Sequence, residues 1–384
     1  MPLPTRLFLV LAVIATALVL AFWRPHAPPG SDGGAPSPGG EAFRQRLVAV
    51  GDLHGDIDNA KRVLRMAGLT DKADGWAAGN DIFVQTGDCV DRGTFAREIY
   101  DLWYRLRGEA QAAGGRVINL LGNHEVMNAI GDWRYVTQAD IKHWGGTENR
   151  QRELSKDGWL GKDWLANYSI SALVPISPFA SAPTYSFQHG SLRPSFPNLT
   201  PYPDAINRLG HSLLTRALTP PLAPPYPPNP YSGLPAGTTR EEAELYDGGG
   251  PLWWRGLADV EDDRIVCGWA KELQEKIGVR RVIGGHTPDF DKIVHRCNAS
   301  VIIIDTGISY AYGGVLSALE IIYSLTPVPK DDSHRQDPFV APANATDEPH
   351  VLHAGGKYIE REEVNAIYVG HKKRIALEVR QIVL

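Results

Sequence analysis

Val48-Ala49-Val50-Gly51-Asp52-Leu53-His54-Gly55-Asp56 is an apolar run that breaks on glycine and gives way to metal-ligand side chains. Leu47–Val50 has the length and continuity of a buried strand. Asp52 and His54 follow at alternating positions, on a turn made tight by Gly51 and Gly55. The carboxyl end of a strand is where ligand and phosphate sites collect in α/β sheets. Taken alone, the stretch reads equally well as a strand-to-turn junction with a solvated Asp and a surface His. Repetition removes that balance.

The same junction recurs along the chain. Ile82–Gln85 runs into Thr86-Gly87-Asp88-Cys89-Val90-Asp91-Arg92-Gly93, and Val117–Leu121 into Gly122-Asn123-His124-Glu125. Thr184–Gln188 ends in His189-Gly190, Arg281–Ile283 in Gly284-Gly285-His286-Thr287, and Val301–Ile304 in Asp305-Thr306-Gly307. Between the first three strands the pattern is helical. Asp58 is placed to cap a helix with Ala60, Val63, Leu64 and Ala67 on one face and a stop at Gly68, and a second helix spans Arg97–Ala113. Strands alternating with helices make βα units, so this part of the sheet is expected to be parallel.

The rest of the chain frames this core. Its 384 residues, 43% hydrophobic and 22% charged, suit a globular protein with a substantial core. A net charge of -5 without a long basic run argues against nucleic acid as partner. Three cysteines are too few for a disulfide framework; Cys267 and Cys297 can pair and leave Cys89 over, or all three can be reduced.

Leu7–Trp23 is an uncharged apolar run of 17 residues between Arg6 and Arg24. It reads as a membrane signal-anchor in preference to a cleaved signal peptide, with Trp23 at the interface. A Pro/Gly/Ser-rich linker follows. The expected organisation is thus 1–24 anchor or signal, 25–44 linker, 45–325 globular domain and 326–384 C-terminal extension. Ile130–Ala166, rich in Trp, reads as mostly helical. Pro194–Gly237 reads as an insertion loop too rich in proline for sheet or helix. Trp269–Ile277 is a short helix, and Ile375–Leu384 a terminal strand.

The strand ends together supply Asp52, His54, Asp88, Asn123, His189 and His286. This oxygen-and-imidazole set, with no thiolates, suits Mn, Fe, Zn or Co. Six ligands fit two neighbouring divalent metal ions, with Asp88 as the bridging carboxylate. Such a pair clamps an in-line displacement and makes a hydroxide nucleophile near neutral pH. Arg92 and Arg255 can hold phosphate oxygens through planar forks. His124 can protonate the leaving oxygen, with Asp91 orienting it and keeping it charged. Each residue alone has an ordinary structural reading; five glycine-flanked motifs in one order do not.

These motifs resemble the calcineurin-like metallophosphoesterases. They are Gly51–Asp56, Gly87–Gly93, Gly122–Glu125, His189-Gly190 and Gly285–Thr287. Within that superfamily they look like phosphoprotein phosphatases, and the last two, with Asp305–Gly314, are similar to the bacterial-like Shewanella-like phosphatase branch. The resemblance spans roughly Arg46 to Ile322. It implies an α/β fold of four layers, α/β/β/α, with a di-metal site at the strand carboxyl ends. It also implies that the six residues above are metal ligands, that His124 and Asp91 are the acid pair, and that Arg92, Asn123 and Arg255 contact the phosphate.

The implied activity is hydrolysis of a phosphomonoester in a phosphoprotein, on phosphotyrosine or on phosphoserine/threonine, by direct attack of a metal-bridging hydroxide. A rival is hydrolysis of dinucleoside polyphosphates, which needs a base-stacking pocket from Trp253 and Trp254 or from the Trp-rich stretch. A second rival is an inert membrane-tethered binding module, against which the complete ligand set argues. Asn167, Asn198, Asn298 and Asn344 stand in N-glycosylation triplets, favouring the secretory pathway.

Overall fold

The computed structural model describes residues 42–328 and 355–384. In its first third strands alternate with helices: β1 (Phe43–Val50), α1 (Ile57–Met66), β2 (Ile82–Gln85), α2 (Ala96–Ala112), β3 (Arg116–Leu120) and α3 (Asn123–Ala129). Three short helices follow, α4 (Gln138–His143), α5 (Thr147–Leu154) and α6 (Trp159–Asn167), then β4 (Tyr168–Ser169), β5 (Ser171–Pro175) and β6 (Thr184–Gln188). Next come α7 (Asp204–Ala217), α8 (Arg240–Tyr246), α9 (Gly256–Asp259) and α10 (Asp263–Ile277). The chain closes with β7 (Arg281–Gly284), β8 (Val294–Arg296), β9 (Val301–Ile303), β10 (Ser317–Pro327), β11 (Lys357–Tyr368) and β12 (His371–Val383).

Two sheets result. One has seven strands in the order β12-β11-β10-β1-β2-β3-β4, the other five in the order β5-β6-β7-β9-β8. As the βα reading requires, β1, β2 and β3 are parallel, with Leu47 beside Ile82 and Ile82 beside Arg116. β1 starts ahead of its apolar run because Phe43–Arg46 pairs antiparallel with β10.

Alternation along each strand makes the layers. Leu47 and Ala49 pack toward the second sheet, among Val174, Phe187, Ile283 and Ile302. Val48 and Val50 face the other way, with Val63 and Leu64 of α1 and Ile99 and Trp103 of α2. On the second sheet Val282, Val301 and Ile303 meet Val266, Ala270 and Leu273 of α10. The order is helices, sheet, sheet, helices, the four-layer α/β/β/α arrangement. Both faces of the inner strands are covered, which is why they read as unbroken apolar runs. Each such Val or Leu contributes about 1.5–3 kcal/mol relative to exposure.

Several expectations change. The stretch 194–237 is not without regular structure: α7 occupies its proline-free centre, starting after Pro203 and burying Ile206, Leu213 and Leu214. Proline stops a helix only where it stands. The cap of α1 is Asp56, whose carboxylate accepts from Asn59 N at 3.0 Å, and Asp58 lies inside the first turn. Beyond Thr326, β11 and β12 are two strands of the seven-stranded sheet, with Arg281 reaching Glu362 and Glu378 across the two sheets. Cys267 and Cys297 form a disulfide between α10 and the turn after β8, while Cys89 is free and buried. Leu7–Trp23 and Asn344 lie outside the described residues. Among those, no helix is long and apolar enough to cross a membrane.

Candidate active site

The loops after β1, β2 and β3 are locked together before any ligand is considered. Leu53 N and His54 N both donate to Asp88 O, at 3.0 and 2.9 Å, and Gly55 N donates to Cys89 O at 2.9 Å. Gly87 has φ +96°, and a Cβ there would stand 2.3 Å from Gly122 N. The glycines are thus demanded by backbone approach. His54, Asp88, Asp91, Arg92 and His286 all have positive φ, at a cost of about 1–3 kcal/mol each that the surrounding packing must offset.

One residue the motif reading left without a role does much of this fastening. The buried Glu125 carboxylate accepts from Gly122 N, Asp88 N, Cys89 N and Tyr100 OH, at 2.6–2.9 Å. Its position three residues after Gly122 is capping-box spacing, the signal that could have singled it out.

Three histidines are oriented by backbone carbonyls. His54 Nδ1 bonds Val90 O at 2.9 Å, His189 Nδ1 bonds Thr86 O at 2.9 Å, and His286 Nε2 bonds Trp253 O at 3.1 Å. Each then carries its proton on that nitrogen and turns the other, as a lone pair, inward. Inward lie Asp88 Oδ2, 3.7 Å from His54 Nε2 and 3.3 Å from His189 Nε2, and Asn123 Oδ1, 2.8 Å from His189 Nε2. His286 Nδ1 is 3.1 Å from His189 Nε2. With those tautomers, acceptors face acceptors with no proton between them, an arrangement a cation reconciles.

Charge leads the same way. Asp52, Asp88 and Asp305 are all buried. Burial and the neighbouring Asp305 and Asp88 carboxylates push Asp52 well above the usual carboxylate range. Asp305 is pushed up to about 6, chiefly by burial. Burial, then repulsion from His124, pulls His54 down to about 4. Ligand atoms within 4.8 Å of one another form two groups, His54-Asp88-His124 and Asp88-His189-His286, with Asp88 in both. The donor set fits two divalent metal ions, and Asp88 would be a ligand available to both.

The remaining predicted residues border the same space. His124 Nδ1 bonds Asp91 Oδ2 at 2.5 Å, and Asn128 Nδ2 donates to Asp91 Oδ1 at 2.8 Å. Burial pushes His124 down, but the Asp88 and Asp91 carboxylates prevail and raise it. The Arg92 guanidinium is stacked between Tyr135 and Tyr312, 4.5 and 4.9 Å from their ring centres. Arg255 Nη1 donates to His286 O at 2.6 Å and to Thr287 Oγ1 at 3.1 Å.

A cavity of about 120 Å³ is walled by Asp52, His54, Asp88, Asn123 and His286, by His124, Arg92 and Arg255, and by Tyr135, Trp253 and Tyr312. Asp91 and His189, both fully buried, stand behind this wall. All ten residues singled out from sequence thus gather in one place. Tyr135, Tyr312 and Asp305 were not given roles there, and Trp253 was named only for the base-stacking pocket of the dinucleotide rival. Trp254 instead packs on Trp269, and Trp133, Trp144 and Trp164 are buried in the core.

The family model described as calcineurin-like phosphoesterase matches residues 45–290, nearly the whole span that builds this site. The chain belongs to that family. It is therefore a hydrolase of phosphoesters.

Among its relatives, the Schizosaccharomyces pombe "uncharacterized protein C1840.07c" is 35% identical over 72% of this chain and 76% of its own length. Shewanella-like protein phosphatase 1 of Plasmodium berghei is 28% identical over 69% of this chain and 67% of its own. Shewanella-like protein phosphatase 2 of Arabidopsis thaliana is 44% identical over 26% of this chain and 25% of its own. A solved cold-active protein tyrosine phosphatase shares the fold, with TM-score 0.58 and 23% identity over 73% of this chain and 75% of that one.

Proposed function

We propose that the chain is a metal-dependent phosphoprotein phosphatase that hydrolyses phosphomonoesters of phosphotyrosine or phosphoserine/threonine. The observation that carries this reading is the shared cavity. His124, held by Asp91, opens into the same small space as Arg92, Arg255 and the metal-fitting cluster. Two divalent ions there, of Mn, Fe or Zn, would neutralise phosphate charge and lower the pKa of water to supply the nucleophile.

The chain's own groups do the rest. Arg92, pinned between two rings, presents its fork to the phosphoryl oxygens without having to be ordered first. Asn123 Nδ2, buried and without a partner among the described residues, is free for a phosphate oxygen. His124, oriented by Asp91 through Nδ1, gives its Nε2 proton to the leaving oxygen.

A space of 120 Å³ equals about four waters of liquid volume. That suits a phosphoryl group. Of the tryptophans offered for a base-stacking pocket, Trp254 packs on Trp269 and Trp133, Trp144 and Trp164 are buried, so the dinucleotide alternative rests on Trp253 at the cavity wall.

The test is phosphate release by the full-length chain in Mn²⁺, Fe²⁺ or Zn²⁺. Substrates are matched phosphotyrosine and phosphoserine/threonine peptides and a dinucleoside tetraphosphate, with His124→Asn in parallel. Release from peptides that collapses in the variant supports the reading; release from the dinucleotide alone, or none with metal bound, overturns it.

We further place the protein on a membrane or in the secretory pathway. Leu7–Trp23 supports this, as does the Cys267–Cys297 disulfide, which suits an oxidising compartment. Asn167 and Asn298 are exposed. An endoglycosidase that leaves the mobility of the native protein unchanged would count against it.

A further inference from the structure

His124 and Asp91 come from separate pieces of chain. His124 lies in the first turn of α3, and Asp91 on the loop after β2, outside any helix or strand. Asp91 is fully buried. Among the described residues its carboxylate bonds only two groups: His124 Nδ1, on Oδ2 at 2.5 Å, and Asn128 Nδ2, on Oδ1 at 2.8 Å. One bond leaves a carboxylate free to swing about it. A second bond, on the other oxygen, fixes its plane, and Asn128 supplies that bond.

Asn128 follows His124 by four residues on α3, so the two side chains share one face of the helix. Its amide nitrogen has two hydrogens, and each meets a different acceptor. One goes to Asp91 Oδ1 and the other to His124 O, both at 2.8 Å. Only a nitrogen can donate to a carboxylate and a carbonyl at once, so the network itself decides which end of the amide faces the pair. Asn128, Asp91 and His124 thus close a ring of contacts. The ring is anchored from outside, because Trp133 Nε1 donates to Asn128 O at 3.1 Å and the Arg150 guanidinium lies 4.4 Å from the centre of the Trp133 ring.

The fold alone does not call for this amide. Asparagine is a poor former of helix interiors. Asn128 is buried, and its Oδ1 has no partner among the described residues, a cost that an apolar side chain of similar shape would avoid. What the amide adds is its pair of donor bonds. Asn128 is not a wall of the catalytic cavity, so any part it has in the reaction passes through Asp91 and His124.

We infer that Asn128 is a positioning residue for the acid step: it holds the Asp91 carboxylate in the plane that aims His124 Nε2 at the leaving oxygen. This rests on the phosphatase reading above and adds to it a residue that never touches substrate. Without the bond the imidazole loses its fixed direction, and a misplacement of about 1 Å is enough to slow a reaction strongly.

Two small aryl phosphates separate positioning from packing. Phenyl phosphate has a basic leaving oxygen that needs a proton, and p-nitrophenyl phosphate has one that does not. Asn128→Ser is the sharper variant. A helix serine bonds the carbonyl four residues back, so it keeps the contact with His124 O and drops the one to Asp91. In the full-length chain with Mn²⁺, Asn128→Ser and Asn128→Leu should each lower kcat on phenyl phosphate about ten- to a hundredfold, with KM nearly unchanged. On p-nitrophenyl phosphate the loss should stay under about threefold. Added to His124→Asn, either substitution should cost under about twofold more, because an acid already removed cannot be misdirected. Melting curves verify that the variants fold. Equal losses on the two phosphates, native rates in Asn128→Ser, or an undiminished second loss in the His124→Asn background would overturn the inference, while native turnover kept the phosphatase reading. Unfolding of both variants would overturn it too, by assigning the amide to the fold. No turnover of either phosphate by the metal-loaded native chain would overturn both.

Discussion

His124 and Asp91 form a buried pair: Nδ1 lies 2.5 Å from Oδ2, which leaves Nε2 facing the cavity, 3.8 Å from Asp88 Oδ2. The carboxylates raise the imidazole's pKa against the pull of burial. An acid is active while protonated, so turnover should fall as pH rises through the pKa that the imidazole has in the metal-loaded protein. Asp91→Asn should move that descending limb to lower pH. His124→Asn should cost about 10²–10⁴ in kcat on alkyl phosphates and much less on p-nitrophenyl phosphate, whose leaving group needs no proton. A pH–rate profile on both substrates checks this.

Arg92 is aimed by Tyr135 and Tyr312. Arg92→Ala should lower kcat/KM by about 1.5–3 kcal/mol, the worth of a hydrogen bond to a charged group. Tyr312→Phe keeps the ring and should stay close to the native rate. Tyr312→Ala should weaken phosphate binding, seen as raised KM and raised inhibition constant for inorganic phosphate.

Removing metal should destabilise the protein as well as silence it. Asp305, near Asp52 and Asp88, is pushed up to about 6 by burial. A carboxyl raised in the folded state adds stability below its unfolded pKa of about 4 and loses it as pH rises through about 6. In chelator-treated protein, Asp305→Asn should therefore raise Tm relative to native at pH 7–8, with the gap closing toward pH 4. A Tm difference independent of pH would contradict this.

The disulfide closes a loop with a sequence separation of 30. By loop entropy it contributes about 3–4 kcal/mol. Replacing Cys267 and Cys297 together by Ala should lower the denaturant midpoint accordingly. Cys89 is buried, with its thiol pKa well raised. A thiol reagent should find none of it in native protein and one equivalent after unfolding.

Arg281 and Glu362 meet at 2.9 Å with both side chains out of solvent. Glu362→Ala strands a buried guanidinium and should cost about 3–5 kcal/mol. The equilibrium midpoint measures it, and a loss under 1 kcal/mol would show that Glu378 alone satisfies Arg281.

The motifs were readable because each is local. An apolar run, a glycine and a donor within a few residues state that a strand ends and a ligand type follows, as at Val50–His54 and Gln85–Asp88. Less local features were not readable. Glu125 sits inside a quoted motif, yet its role depends on amides brought to it from the Asp88 loop. Tyr312 reaches Arg92 only because β10 returns beside β1. Helix α7 was hidden by the prolines on either side of it, and β11 and β12 by the distance in sequence to their sheet.

Strand ends, donor types and their order, and hence family and fold class, follow from covalent neighbours: backbone sterics and the period-two alternation act within a few residues. The tertiary structure decided which nitrogen each histidine turns inward, that Asp88 belongs to both donor groups, that Trp253 lines the cavity while Trp254 does not, and that Cys267 and Cys297 meet. Those outcomes depend on groups far apart in sequence being pressed to within 3–6 Å, and only the packing of the two sheets and their helices sets such distances.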